Sequence, residues 1–246
     1  MVRKSIIIFF FILLFVPQFA PCSDITEQTP WGSIDWSNYT AESIGENSTI
    51  PLLYDQKLNR GASLRLARSK SFKNLYQLIL HIPIIEDKLL INLLNENQKQ
   101  ILIKKTYEEA CVLGWMNILK DKVEVTVRVN ILETVSKFIN SYFNKKKGNN
   151  SNVYIIDLRN FNVLPSLVCR IYDQKDSLIY SSSPKYVTGM EDAITYAGPR
   201  NVFLLKVNKI KHKRCSLIVT SEMNNLQNVV LVLGDKKYDE TGKNTD

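Results

Sequence analysis

The sequence predicts an α+β protein of two small modules, a helix-plus-hairpin N-terminal module followed by a mixed-sheet C-terminal module. Three observations carry this expectation. Leu58, Ala62, Leu66, Leu75, Leu78 and Ile79 recur at three- and four-residue steps between Tyr54 and Leu80, the period of a helix with one apolar stripe. Val123, Val125, Val127 and Val129 alternate with Lys122, Glu124, Thr126 and Arg128, the period of a half-buried strand. Beyond Asn152 the helical period gives way to short apolar runs separated by turn residues, which is how a sheet with few helices is written.

Taken in order, residues 1–23 form an export signal. Arg3 and Lys4 precede the apolar run Ile6 to Val16, and Pro17 breaks it before Ala20-Pro21-Cys22-Ser23. The apolar run is too short to cross a hydrocarbon core of about 30 Å at about 1.5 Å per residue. Residues 24–53, rich in Ser, Thr, Asn and Glu, show no sustained period and are expected to be an extended lead-in anchored by Trp31 and Trp36. The first module, residues 54–143, opens with the long helix from Tyr54 to Leu80. His81-Ile82-Pro83-Ile84 interrupts it, and a second helix is predicted from Glu86 to Lys105. A strand near Cys111 to Asn117 and the strand Lys122 to Asn130 make a hairpin turned at Asp121-Lys122, and Leu132 to Phe143 is a short helix.

Residues 144–152 are a charged, polar linker. In the second module, residues 153–234, strands are predicted at Val153 to Leu158, Leu167 to Tyr172, Ser177 to Ser181, Asn201 to Ile210, Cys215 to Thr220 and Val229 to Leu233. Glu222 to Asn228 is a helix candidate, and the polar tail 235–246 is expected to be disordered.

The 246 residues, 45% hydrophobic and 23% charged, exclude a disordered chain, and four Cys are too few for a disulfide-dense miniature fold. Cys22 has two readings. It is a lipidation candidate if Phe19-Ala20-Pro21-Cys22 serves as a lipobox, although Pro21 stands where such boxes want a small residue. Otherwise it is removed with the signal, leaving Ser23 as the first residue. Cys111, Cys169 and Cys215 lack C-x-x-C spacing and sit in apolar strand patterns, so they are expected to be core thiols; Cys169 and Cys215 could instead face each other on neighbouring strands and oxidise.

The residues suggest no catalytic, cofactor-binding or metal-binding set. His81 and His212 are the only histidines and fall in different modules, and no Walker, G-x-G-x-x-G or G-x-S-x-G motif occurs. Asp157, Asp173 and Asp176 lie at strand ends or turns, where Asp serves the backbone. Lys209, Lys211, His212, Lys213 and Arg214 form a basic run, most simply a solvated strand face. Export removes the usual access to nucleic acid, so an anionic membrane surface is the better functional alternative.

The second module carries a resemblance. Tyr154-Ile-Ile-Asp-Leu-Arg159, Val163-Leu-Pro-Ser-Leu167, Cys169-Arg-Ile-Tyr-Asp173 and Ser177-Leu-Ile-Tyr180 resemble, in order, the "IIDARG", "PAL", "RIYDEDG" and "VYG" stretches of a family of exported bacterial proteins. Gly198 to Lys206, Leu217 to Ser221 and Val229 to Leu233 are similar to its later stretches. In the first module, Arg60-Gly-Ala62, Lys73-Asn-Leu75 and Val123-Glu-Val-Thr-Val127 are similar to its companion helix and "VEVTV" strand. The family is that of small bacterial surface lipoproteins and FlgT-like flagellar assembly proteins. The resemblance covers most of residues 54–234; the sequence departs from it in reading Gln174-Lys175-Asp176-Ser177 where an Asp-Gly turn is usual.

It implies a non-enzymatic structural or assembly factor in the periplasm or at the outer membrane, without cofactor, whose partners are other envelope or flagellar basal-body proteins. The alternative is a periplasmic carrier or sensor for a small ligand or peptidoglycan fragment. Exposed edge strands with aromatic patches would favour assembly; a large apolar pocket with converging polar groups would favour the carrier.

Overall fold

The computed structural model describes residues 25–48, 56–119, 122–143, 152–220, 226–234 and 237–238. The predicted export signal with Cys22, the predicted turn residue Asp121, and the predicted linker up to residue 151 lie outside the described residues. The fold is α+β, with four α-helices among the described residues set against mixed sheets.

The first sheet has the order β15-β1-β2-β3-β7-β6. At its centre β3 (Thr40–Ser48) and β7 (Lys122–Asn130) pair antiparallel over their whole length, from Thr40 opposite Asn130 to Ser48 opposite Lys122. The valines of β7 are buried, as their alternation predicts. Helix α1 (Gln56–Leu80) lies across that apolar face and buries Ala67, Phe72, Leu75, Leu78 and Ile79.

Its approach to β3 is close because small residues line the contact. A Cβ on Gly45 would stand 2.1 Å from the Ala67 carbonyl oxygen and 2.3 Å from the Ser71 nitrogen. Ser43 is buried there and its hydroxyl donates to the Ser71 carbonyl at 2.6 Å. A polar group buried with such a partner avoids the cost of an unmade hydrogen bond.

Residues 24–53 are not merely a lead-in. They supply three strands of this sheet: β1 (Thr26–Thr29), β2 (Gly32–Asp35) and β3. Their period is hard to read because several inward positions hold Glu27, Ala41, Ser43 and Gly45, which are polar or small. The tail expectation is corrected at two residues: Lys237–Tyr238 forms β15 and pairs in parallel with Thr26 and Glu27, filling the open side of β1.

The second predicted helix is also corrected. Pro83–Ile85 (β4) and Lys88–Leu89 (β5) form a hairpin turned at Glu86, whose φ is 50°. A short 3₁₀ turn follows, and α2 (Glu96–Glu109) starts only after Asn95. The Asn95 side chain accepts from the Gln98 N–H at 2.9 Å while the Gln98 side chain accepts from the Asn95 N–H at 3.0 Å, a reciprocal cap that fixes the start. Strand β6 (Cys111–Leu119) and helix α3 (Ile131–Ile139) then complete this part.

The second sheet has the order β10-β9-β13-β12-β8-β14-β11. Its strands are β8 (Asn152–Asp157), β9 (Cys169–Tyr172), β10 (Leu178–Ser182), β11 (Lys185–Val187), β12 (Asn201–His212), β13 (Ser216–Thr220) and β14 (Val229–Val232). The long β12 runs parallel to β8 with Asn201 to Leu205 and antiparallel to β13 from Lys206 onward, so it carries the sheet around a bend.

Helix α4 (Met190–Ala197) and strand β11 were not expected. The helix is short and buries only Ala193 and Ala197, which give no apolar period to read. Residues 226–228 of the predicted Glu222 to Asn228 helix are not helical; Leu226 donates its N–H to Ile179 at 2.9 Å.

One buried apolar cluster runs through both sheets, and a smaller one lies beneath α4. At the junction, Trp36, Tyr39 and Tyr186 pack with ring centroids 6.1 to 6.3 Å apart. The Tyr39 hydroxyl donates to the Pro184 carbonyl, and Lys185 Nζ donates to the Ser37 carbonyl at 2.5 Å. Backbone bonds from Leu167 to Pro83 and from Val168 to Ile84 tie the β4 hairpin to the segment entering β9. Arg214 reaches across to Glu27 with two bonds, of 2.8 and 3.1 Å, and Glu27 also accepts from Trp36 Nε1 at 2.9 Å.

Candidate functional site

Cys169 and Cys215 form a disulfide, with Cα atoms 4.9 Å apart and both residues buried. Of the two readings open in the sequence, the structure shows the bonded pair. Cys111 is corrected in the opposite direction: it is a free thiol on the exposed strand β6 and not a core residue.

Several of the charged residues singled out in the sequence are held in local partnerships. Asp173 accepts from the Lys175 and Ser177 N–H groups, both at 2.8 Å, and so closes the β9–β10 turn. Asp157 bonds Arg159, whose side chain holds the carboxyl below the usual carboxylate range. Lys211 pairs with Asp176 at 2.7 Å, and that bond raises the ammonium above its ordinary value. His212 meets Asp87 at 2.8 Å. The basic run is therefore divided, with Arg214 used at the junction and Lys211 and His212 on different acids. His81 stacks on Trp31 with ring centroids 4.2 Å apart. Among the described residues no group of three or more His, Cys, Asp or Glu gathers where an ion could be held.

What stands out is β6, at the end of the first sheet, where among the described residues only β7 pairs with it. From Cys111 to Met116 every residue is exposed, including Val112 at 41%, Leu113 at 46%, Trp115 at 53% and Met116 at 58%. The strand Cys-Val-Leu-Gly-Trp-Met-Asn-Ile-Leu contains no charge and no proline, the residues with which edge strands ordinarily discourage further pairing.

Register places its side chains. Trp115 lies opposite Val125 and Val112 opposite Val127, which puts both on the α1 side, while Met116 lies opposite Glu124 on the other side. A register shift between Val112 and Gly114 is what brings Val112 and Trp115 onto one face. The Arg60 guanidinium sits 5.1 Å from the Trp115 ring centroid, within cation–π range. Arg60, Gly61, Leu64, Trp115 and Val123 line an apolar groove of about 250 Å³ between α1 and the strand.

An extended partner could add to β6 through main-chain bonds and set an apolar side chain into this groove, which is how strand addition obtains both affinity and specificity. Sequence reasoning found the strand but missed its exposure, since an uncharged apolar run reads equally as a buried strand. No family model matches the chain, and no curated protein matches it.

Proposed function

We propose that this chain is a non-enzymatic structural or assembly factor of the bacterial envelope, joining partners at the flagellar basal body near the outer membrane through β6. The observation that carries the reading is the uncharged, exposed edge strand with Trp115 and an apolar groove beside it. An open edge of this kind favours assembly because it offers unpaired backbone groups and apolar side chains together. The export signal and the resemblance to envelope and flagellar assembly proteins agree with that role.

The test is crosslinking in intact cells, with a photoreactive residue in place of Trp115 and, as a control, in place of the exposed Ile101 on α2. Basal-body proteins captured from position 115 and not from 101 are the expected result. Capture of other envelope proteins would keep the assembly role and overturn the flagellar one. An absence of adducts at native expression would overturn both.

A further inference from the structure

Helix α4 covers only part of the outer face of the second sheet. Ala193 and Ala197 seal Val153, Ile155, Val230 and Val232 beneath it. Along β12 and at Leu178 of β10 that same face carries exposed side chains, with Tyr172 and Ile218 half-buried between them, and the register of β12 decides which ones. Val202 and Leu204 stand opposite Val153 and Ile155, on the α4 side. Lys206, opposite Thr220, continues the row.

Unbroken alternation would then turn Lys209 inward beside the buried Val207. A bulge between Val207 and Lys209 resets the strand, so that Lys209 stands opposite Ile218 while Ile210 faces inward opposite the buried Leu217. Lys211 lies on the same face, its Nζ 3.9 Å from the ring centroid of Tyr172, the residue that pairs with Ile218.

The outcome is a surface on which aliphatic and cationic groups are interleaved. Leu204 is 69% exposed, Leu178 44% and Val202 40%. Lys206, Lys209 and Lys211 are exposed among them, with Asp176 as the carboxylate paired to Lys211. At the start of β12, Arg200 lies 5.0 Å from the ring centroid of Tyr196, which is itself 43% exposed.

We propose that this face docks on an anionic phospholipid membrane, with Leu204 and Val202 entering the headgroup boundary and Lys206, Lys209 and Lys211 meeting lipid phosphates. Charge complementarity selects the occupant: a row of lysines favours a negative surface, and exposed aliphatic side chains favour one that also offers an apolar layer. Lysine suits this position because its stem lies along apolar surface while its ammonium stays at the headgroups. The proposal is independent of β6, which belongs to the other sheet.

The experiment uses the exported Cys22→Ala protein, which has no thiol at that position to lipidate, in flotation with phosphatidylcholine vesicles and with mixed phosphatidylcholine and phosphatidylglycerol vesicles. Binding to the mixed vesicles alone, reversed by salt, is expected. Each basic residue at such a surface is worth roughly a fivefold change in partition, so K206E/K209E lowers binding by more than about twentyfold. Leu204→Asp lowers it with every lysine in place, and Lys137→Glu on α3 leaves it unchanged. Circular dichroism confirms that each variant is folded; Lys209→Gln replaces the double variant if that one is not. Equal binding to both vesicles, binding to neither, or unchanged binding by K206E/K209E would overturn the proposal. So would binding reduced by the lysine changes and indifferent to Leu204→Asp, which would indicate an acidic polymer in place of a membrane.

Discussion

Burial strongly alters two tyrosines, Tyr39 and Tyr180. Desolvation, reinforced by Tyr186, holds both phenols well above their ordinary value. A tyrosine whose pKa is raised by folding contributes stability that is complete below the unfolded value, about 10, and is lost as pH rises past it, because the unfolded chain ionises first. Stability measured by urea denaturation should therefore hold through neutral pH and fall above about pH 10, less steeply in Tyr180→Phe; a profile flat into strong alkali would reject this. The cysteines make a second residue-scale prediction. In Cys22→Ala protein without reductant, Cys111 alone should react with a thiol reagent, before and after unfolding. Cys169→Ala should cost about 2 to 4 kcal/mol, as expected when a crosslink closing a long loop is lost. Labelling of Cys169 or Cys215 on unfolding alone would show that they are thiols.

At the scale of elements, the contact between α1 and β3 can be tested by two glycines that differ in surroundings. Gly45→Ala would press a methyl group onto the backbone of α1 at Ala67 and Ser71, and overpacking of this sort costs about 1 to 3 kcal/mol or more. Gly61, on the same helix, has nothing within 4 Å of an added Cβ, so Gly61→Ala should stabilise by up to about 1 kcal/mol through helix propensity. Thermal melts of the two variants should move in opposite directions, and a neutral Gly45→Ala would mean that the helix stands farther from the sheet. The elements also show what was legible. Strand β7 was read residue for residue, because one face meets apolar α1 and the other meets polar surroundings, so burial writes a period of two. The Glu86 to Lys105 region misled because Leu89, Leu90, Leu93 and Leu94 are spaced as a helix would space them, yet the turn at Glu86 and the cap at Asn95 divide the run.

For the molecule as a whole, the decisive contact is Glu27 with Arg214, which joins the first strand of one sheet to the segment entering β13 of the other. Both side chains are largely buried, at 6% and 18% exposure. Removing one partner strands the other charge, so Glu27→Leu or Arg214→Met should each cost about 3 to 5 kcal/mol, while the double variant should cost much less than the sum. Denaturation of the four proteins in a double-mutant cycle checks this, and additive losses would show that the two side chains act separately. Because one apolar cluster spans both sheets, Trp fluorescence and far-UV circular dichroism should follow the same single transition.

The sequence by itself determined the α+β class, the long helix, the β7 strand and most strands of the second sheet, since local period and turn chemistry are properties of neighbouring residues. It also contained the residues of the candidate site, though not their meaning. Only the tertiary structure decided that β6 is an edge, that Cys111 is exposed while Cys169 meets Cys215, and that Arg214 leaves the basic run to pair with Glu27. Sheet order and the docking of one sheet on the other govern each of these. They depend on contacts between residues far apart in the chain, such as Glu27 and Arg214, and a local pattern cannot encode which distant surface will cover it.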